Sequence, residues 1–124
     1  MTNSLEDYLE TIYMLVQAND HARVSDVALS LHVKMPSVTK AVLELKRCGY
    51  VTQEPYGKLE LTGEGVEAAS LILGRHNLLK EFLILLGVTE DAAEKDACSM
   101  EHFLGAETLA RITDFVRRKR KRSR

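Results

Sequence analysis

The stretch from Met35 to Gly49, MPSVTKAVLELKRCG, restricts the fold more than any other part of the chain. Pro36 stands where the first turn of a helix accepts a residue without an N–H, and Gly49 stands where a helix end favours left-handed backbone. Between them Val38, Val42 and Leu45 recur at helical spacing and predict one buried stripe, with Ser37, Thr39, Lys40 and Lys46 turned outward. A shorter helical segment precedes it, RVSDVALSLHVK over residues 23–34, with Ser25 as its N-cap and Val27, Ala28 and Leu31 facing inward. Two short helices joined by a tight turn form a helix-turn-helix, whose second helix offers its N-terminal end to DNA.

The flanks fit this reading. From Ser4 to about Gln17, Leu5, Leu9, Ile12, Tyr13 and Val16 mark an amphipathic first helix, with Ser4 as cap and Asp7 three residues on. After Gly49, YVTQEPYGKLELT alternates Leu59 and Leu61 with Lys58 and Glu60 around a Pro55-Tyr-Gly57 turn. This predicts a two-stranded wing. Between Lys34 and Lys58 five basic residues face two acidic ones, a local excess suited to phosphate contact. The candidate DNA contacts are Pro36, Ser37, Thr39 and Lys40 at the recognition helix, with Lys46, Arg47 and Lys58 on phosphates. The same elements could instead serve a structural or protein-binding domain.

From Thr62 the pattern is helical almost to the end. Leu79, Phe82, Leu83 and Leu86, then Leu104, Leu109, Ile112 and Phe115, form apolar stripes too rich for solvent. Such a surface predicts burial against a second copy of the chain, and a homodimer also suits reading two half-sites of DNA. The expected architecture is mainly α: a winged helix-turn-helix over residues 1–62, then an all-helical dimerisation unit over residues 63–124.

Charge is unevenly distributed. Residues 117–124, RRKRKRSR, hold seven of the 17 basic residues and none of the 18 acidic ones, so residues 1–116 set ten basic against 18 acidic groups, a formal −8. Contact with a polyanion must therefore use local patches. The basic tail could add nonspecific affinity or stay a solvated, disordered end. The longest apolar run, Phe82 to Val88, is far below the ~20 residues of a membrane span, and the acidic N-terminus lacks a secretory pattern. Two cysteines fifty residues apart suggest no disulfide framework. A cytoplasmic protein without membrane contact is expected.

Possible metal chemistry sits in DACSMEH, residues 96–102. Cys98, Glu101 and His102 share one helical face, Asp7 and Glu10 share another, and His76 lies on the long helix after Thr62. Oxygen, nitrogen and sulfur donors on three helices could enclose a divalent first-row metal. Each also has a plain structural explanation. Asp7 and Glu10 could be charges favoured by the helix dipole, His76 a hydrogen-bonded core histidine, Cys98 a small buried hydrophobe, and Glu101-His102 a solvated face.

The segments SLEDYLETIYML, ARVSDVA, PSVTKAVLEL, GYV, LTGEG, RHNLLKEFL, LGV and DACSMEH, in this order and spacing, resemble the DtxR/MntR family of metal-dependent transcriptional repressors over nearly the whole chain. The resemblance implies a homodimeric repressor of metal-uptake genes that binds a palindromic double-stranded operator when loaded with Mn(II) or Fe(II). It places Asp7, Glu10, His76, Glu101 and His102 on the metal ligands of the manganese-responsive branch. Cys98 is similar to the iron-responsive branch instead, which has methionine where this chain has Asp7, so the ligand set is a hybrid. Glu10 and Glu101 are the bridging candidates if two ions bind. Lys80 and Glu94 stand where the iron branch's accessory site has Glu and His. Carboxylates favour Mn(II) and a thiolate favours Fe(II) or Zn(II), so Zn(II) and other first-row ions are expected to bind in vitro. The competing readings are a winged-helix regulator with an organic effector and a small metallohydrolase using Glu101 as base.

Overall fold

A computed structural model describes residues 1–55 and 57–122. It divides into two compact units, Met1–Ile72 and Leu73–Arg124.

The first unit opens with α1 (Asn3–Asn19). Its cap is Thr2, whose hydroxyl accepts from the Leu5 N–H at 3.2 Å, and not Ser4, which lies inside the first turn. The helix starts earlier because Thr2 satisfies one of the free amides at its end. A two-residue strand β1 (Ala22–Arg23) leads directly into α2 (Val24–Leu31). Here too the expected cap is displaced. Ser25 lies within the helix, and the Asp26 carboxylate reaches back to accept from the Arg23 N–H at 3.0 Å.

His32 adopts left-handed backbone, φ 56°, where α2 turns towards α3 (Met35–Arg47). That helix begins with Pro36 in its first turn, as the sequence suggests, and ends in a Schellman motif. Gly49, at φ 80°, donates to the Lys46 carbonyl and Tyr50 donates to that of Leu45, both at 3.0 Å.

The wing is β2 (Val51–Gln53) and β3 (Lys58–Leu61), paired antiparallel with Thr52 opposite Glu60. Gly57 donates to the Glu54 carbonyl and Glu54 to that of Lys58, each at 2.9 Å. Tyr56, in the expected turn, lies outside the described residues, as do Ser123 and Arg124 of the basic tail. The wing is not limited to two strands: β1 pairs with β3, Ala22 opposite Leu59, to give the order β1-β3-β2. A two-residue strand is too short to show alternation.

Leu9, Ile12, Val27, Val38, Val42, Leu45, Val51 and Leu59 close the core of this unit, with Ala69 and Ile72 from the start of α4 (Gly63–Leu85). That helix begins against the end of α3. The Thr62 hydroxyl donates to the Gly49 carbonyl at 2.6 Å and accepts from the Gly65 N–H at 3.0 Å. A β-carbon at Gly65 would lie 2.0 Å from the Tyr50 carbonyl oxygen, so only glycine permits this approach.

The second unit holds the rest of α4 with α5 (Glu90–Met100) and α6 (Ala106–Arg122). Leu79, Leu83, Ala93, Ala97, Ile112 and Val116 form its core, and Phe82 meets Phe115 edge to face at 5.7 Å. Thr89 caps α5, and Glu90 and Asp91 place negative charge on its positive end. The basic segment is not a disordered end as far as Arg122: α6 runs through it, with Lys119, Arg120, Lys121 and Arg122 at the C-terminus where cations suit the dipole. Arg120 Nε and Nη2 donate to the two Glu81 oxygens at 2.6 Å each, holding α6 to α4. That pairing keeps the Glu81 carboxyl below its ordinary range, mainly through the Arg120 hydrogen bond and despite partial desolvation.

Candidate metal centre and nucleic-acid interface

The donors of DACSMEH do not all lie within a helix. Met100 is the last residue of α5, Glu101 is its C-cap, and His102 lies in the turn beyond. The chain leaves the helix here because Phe103 and Leu104 both donate to the Met100 carbonyl, at 3.0 and 3.3 Å. Glu101 and His102 still turn inward. The Glu101 side chain is fully buried and that of His102 nearly so.

Within the second unit the structure brings His76, Cys98 and Glu101 together, with one donor atom from each lying within 4.8 Å of the others. His76 Nδ1 is 3.7 Å from Glu101 Oε2, and His102 Nε2 is 3.6 Å from Glu101 Oε1. Both contacts exceed hydrogen-bond length. His76 Nδ1 is buried without a hydrogen bond among the described residues, a costly state for a ring nitrogen unless something else occupies its lone pair. Cys98 is exposed and so is not the small buried hydrophobe its composition allowed. A carboxylate, imidazoles and a thiol with one orphaned nitrogen fit a divalent first-row cation. Asp7 and Glu10, one turn apart on α1 and half-buried, belong to the first unit.

Sequence reasoning named Glu94 and Lys80 only as mismatches to an accessory site. In the structure they form a chain with His76. His76 Nε2 lies 2.8 Å from Glu94 Oε1, and Lys80 Nζ lies 3.1 Å from Glu94 Oε2 and 3.6 Å from Glu90. The Lys80 ammonium is raised above its ordinary value, chiefly by its hydrogen bond to Glu94, and it cannot ligate a cation. Partial desolvation pushes the Glu94 carboxyl up, but Lys80 and His76 together outweigh it and hold it low. An iron-type accessory site at these three positions therefore does not fit. Spacing places Lys80 one turn after His76 on the same helix, but no local pattern signals the approach of Glu94 from α5.

On the winged helix, Pro36, Ser37, Thr39, Lys40, Lys46 and Arg47 are all exposed, and Lys58 is half-buried. The Thr39 hydroxyl donates back to the Met35 carbonyl at 3.1 Å. Lys46 donates to Gln53 Oε1 of β2 at 2.8 Å, and Arg47 pairs with Glu44 at 2.6 Å. Two of the phosphate candidates are thus already held in place by neighbours within their own unit. No helix among the described residues is long and apolar enough to cross a membrane.

Residues 1–59 match the model of the iron dependent repressor N-terminal DNA binding domain, and residues 62–122 that of the iron dependent repressor metal binding and dimerisation domain. The chain is 42% identical to the HTH-type transcriptional regulator MntR of Bacillus subtilis over 93% of its own length and 81% of that protein. It is 40% identical to an HTH-type transcriptional regulator of Methanocaldococcus jannaschii over 94% of both. Among solved structures, IdeR of T. acidophilum superposes with a TM-score of 0.79 at 28% identity, covering 88% of this chain and 52% of that one. A manganese-dependent transcriptional repressor in complex with manganese gives 0.82 at 27%, covering 90% and 52%. The chain spans about half the length of these two structures. With both family models matched in order over nearly its whole length, the chain belongs to the DtxR/MntR family of metal-dependent transcriptional repressors.

Proposed function

We propose that this chain is a cytoplasmic, non-enzymatic repressor of metal-uptake genes whose affinity for a palindromic operator rises when Mn(II) or Fe(II) is bound. The observation that carries the reading is the buried Glu101 carboxylate, with His76 Nδ1 and His102 Nε2 at 3.7 and 3.6 Å and the Cys98 thiol close by. A small core has no folding reason to hold a carboxylate between two imidazoles, because burying polar groups costs stability. A second line of support is the winged helix-turn-helix in the other unit, with its exposed recognition helix.

In this reading His76, Cys98, Glu101 and His102 hold the ion from the second unit, and Asp7 and Glu10 supply ligands from the first. A bound divalent ion supplies positive charge that offsets repulsion among these carboxylates. Asp7 and Glu10 then restrain α1, and with it the recognition helix, so that docking on DNA costs less ordering entropy. Coupling of this kind is typically ~1–3 kcal/mol. Ser37, Thr39 and Lys40, with Pro36 by apolar contact, face base edges, while Lys46, Arg47 and Lys58 contact phosphates. Of the apolar stripes expected to meet a second copy, Leu79, Leu83 and Ile112 are instead buried within the unit's own core, whereas Leu86, with Ile84, Leu85 and Phe103, is exposed and suits burial in the homodimer.

Cys98 leaves the metal preference to its thiol, which draws the site towards Fe(II) or Zn(II), while the carboxylates favour Mn(II). The test is operator binding by metal-free protein under anaerobic conditions, titrated separately with Mn(II), Fe(II) and Zn(II). At least one ion should tighten binding, and a chelator should reverse it. DNA affinity indifferent to all three ions and to chelator would overturn the reading. Replacing Cys98 with Glu should move the ranking towards Mn(II).

A further inference from the structure

We propose that Glu94, fixed by Lys80, is a positioning residue that sets the tautomer and orientation of His76 so that Nδ1 is its metal-binding atom. The proposal rests on the metal-site reading above and adds a determinant of how that site is prepared before any ion arrives.

An imidazole offers two nitrogens, and in the neutral ring one carries the proton while the other carries the lone pair. His76 Nε2 lies 2.8 Å from Glu94 Oε1. An ionised carboxylate only accepts, so this contact requires the proton on Nε2. In the neutral ring the lone pair is then on Nδ1. That atom is buried, makes no hydrogen bond among the described residues, and points towards Glu101 Oε2 at 3.7 Å. A ring with the opposite tautomer would set two lone pairs, on Nε2 and on Glu94, against each other.

Glu94 could not impose this alone. Its side chain is 54% exposed and would otherwise sample several rotamers. Its second oxygen is held by Lys80 Nζ at 3.1 Å. One oxygen faces the cation and the other the ring, so the carboxylate is oriented at both ends. Lys80 lies one turn along α4 from His76, which lets the same helix present both the ligand and the clamp on its partner. A carboxylate bonded to the remote nitrogen of a ligating histidine also strengthens that ligand, and loss of such a partner usually costs ~10–100-fold in metal affinity.

The test compares wild-type protein with Glu94→Ala, Glu94→Gln, Lys80→Ala and the control Glu90→Ala. Mn(II) affinity is measured by calorimetry, and the His76 tautomer by NMR of ring-labelled, metal-free protein. The wild type should show the Nε2–H form, which Glu94→Ala should lose, together with ~10–100-fold weaker Mn(II) binding. Glu94→Gln, whose amide oxygen still accepts, should recover most of both. Lys80→Ala should fall between wild type and Glu94→Ala, and Glu90→Ala should stay near wild type. Unchanged tautomer in Glu94→Ala overturns the proposal, even where affinity drops, because a charge effect alone would produce that drop. Failure of the metal-site reading looks different: His76→Ala would bind Mn(II) as tightly as wild type.

Discussion

The two units bury different things. In the first, the fully enclosed side chains are apolar, from Leu9 and Ile12 to Val51 and Leu59, while Asp7 and Glu10 on α1 are only half-buried. The buried polar or charged residues among those described, His76 at 4% exposure and Glu101 at 6%, both fall in the second unit. A core that keeps a carboxylate out of water gives up stability for it. The contrast separates a unit whose closed core is apolar from one that keeps polar donor atoms out of water.

That contrast can be broken, starting with the largest expected effect. Leu45, on the inner face of the recognition helix, is fully buried, and Leu45→Ala should lower the unfolding free energy by ~2–5 kcal/mol in a urea titration. Metal binding at the second unit's own donors would survive in whatever fraction stays folded.

Glu101→Gln should do the reverse. Removing a buried charge leaves the metal-free protein at least as stable as wild type, while Mn(II) affinity by calorimetry falls by more than the ~10–100-fold of an outer-sphere change. A marked loss of metal-free stability would show that Glu101 is a structural anchor, and the contrast would collapse.

Gly65→Ala comes next, since the new methyl collides with the Tyr50 carbonyl. Overpacking of this kind costs ~1–3 kcal/mol, read as a lower thermal midpoint with unchanged metal affinity. The smallest effect concerns Glu81 and Arg120. Because the folded-state pKa of Glu81 is lowered, its stabilisation is complete above the ordinary value of 4.5 and is lost as pH falls through the folded value. Glu81→Gln should therefore be slightly less stable than wild type at neutral pH, with the difference shrinking in acid melts. Arg120 is largely exposed and Glu81 half-buried, so solvent screens the pair and keeps the effect small.

Much of the fold was legible as periodicity and punctuation. Pro36, Gly49 and the stripe of Val38, Val42 and Leu45 defined the recognition helix, and the wing followed from alternation around Leu59 and Leu61. Caps were less legible. Ser4 and Ser25 are good cap residues by type, yet Thr2 and Asp26 took the work because a cap is decided by which side chain can reach a free N–H. Strand β1 was invisible, since two residues acquire strand identity only from a partner, here Leu59 and Lys58 of β3.

At the candidate site, donor types and their helical spacing were present in DACSMEH and in His76, and the family resemblance named them as ligands. Their environment was not. The same letters allowed a solvated Glu101-His102 face and a buried Cys98, whereas the fold buries the first pair and exposes the second. The sequence by itself determined which segments become helix, which become wing and which donors are available, because those depend on local backbone preference and side-chain chemistry. Only tertiary structure decided that Glu101 is sealed from water, that Arg120 holds the basic end of α6 to Glu81, and that Glu94 claims one nitrogen of His76 and leaves the other open. Burial and pairing across helices depend on distances between residues far apart in the chain, and no local pattern encodes those distances.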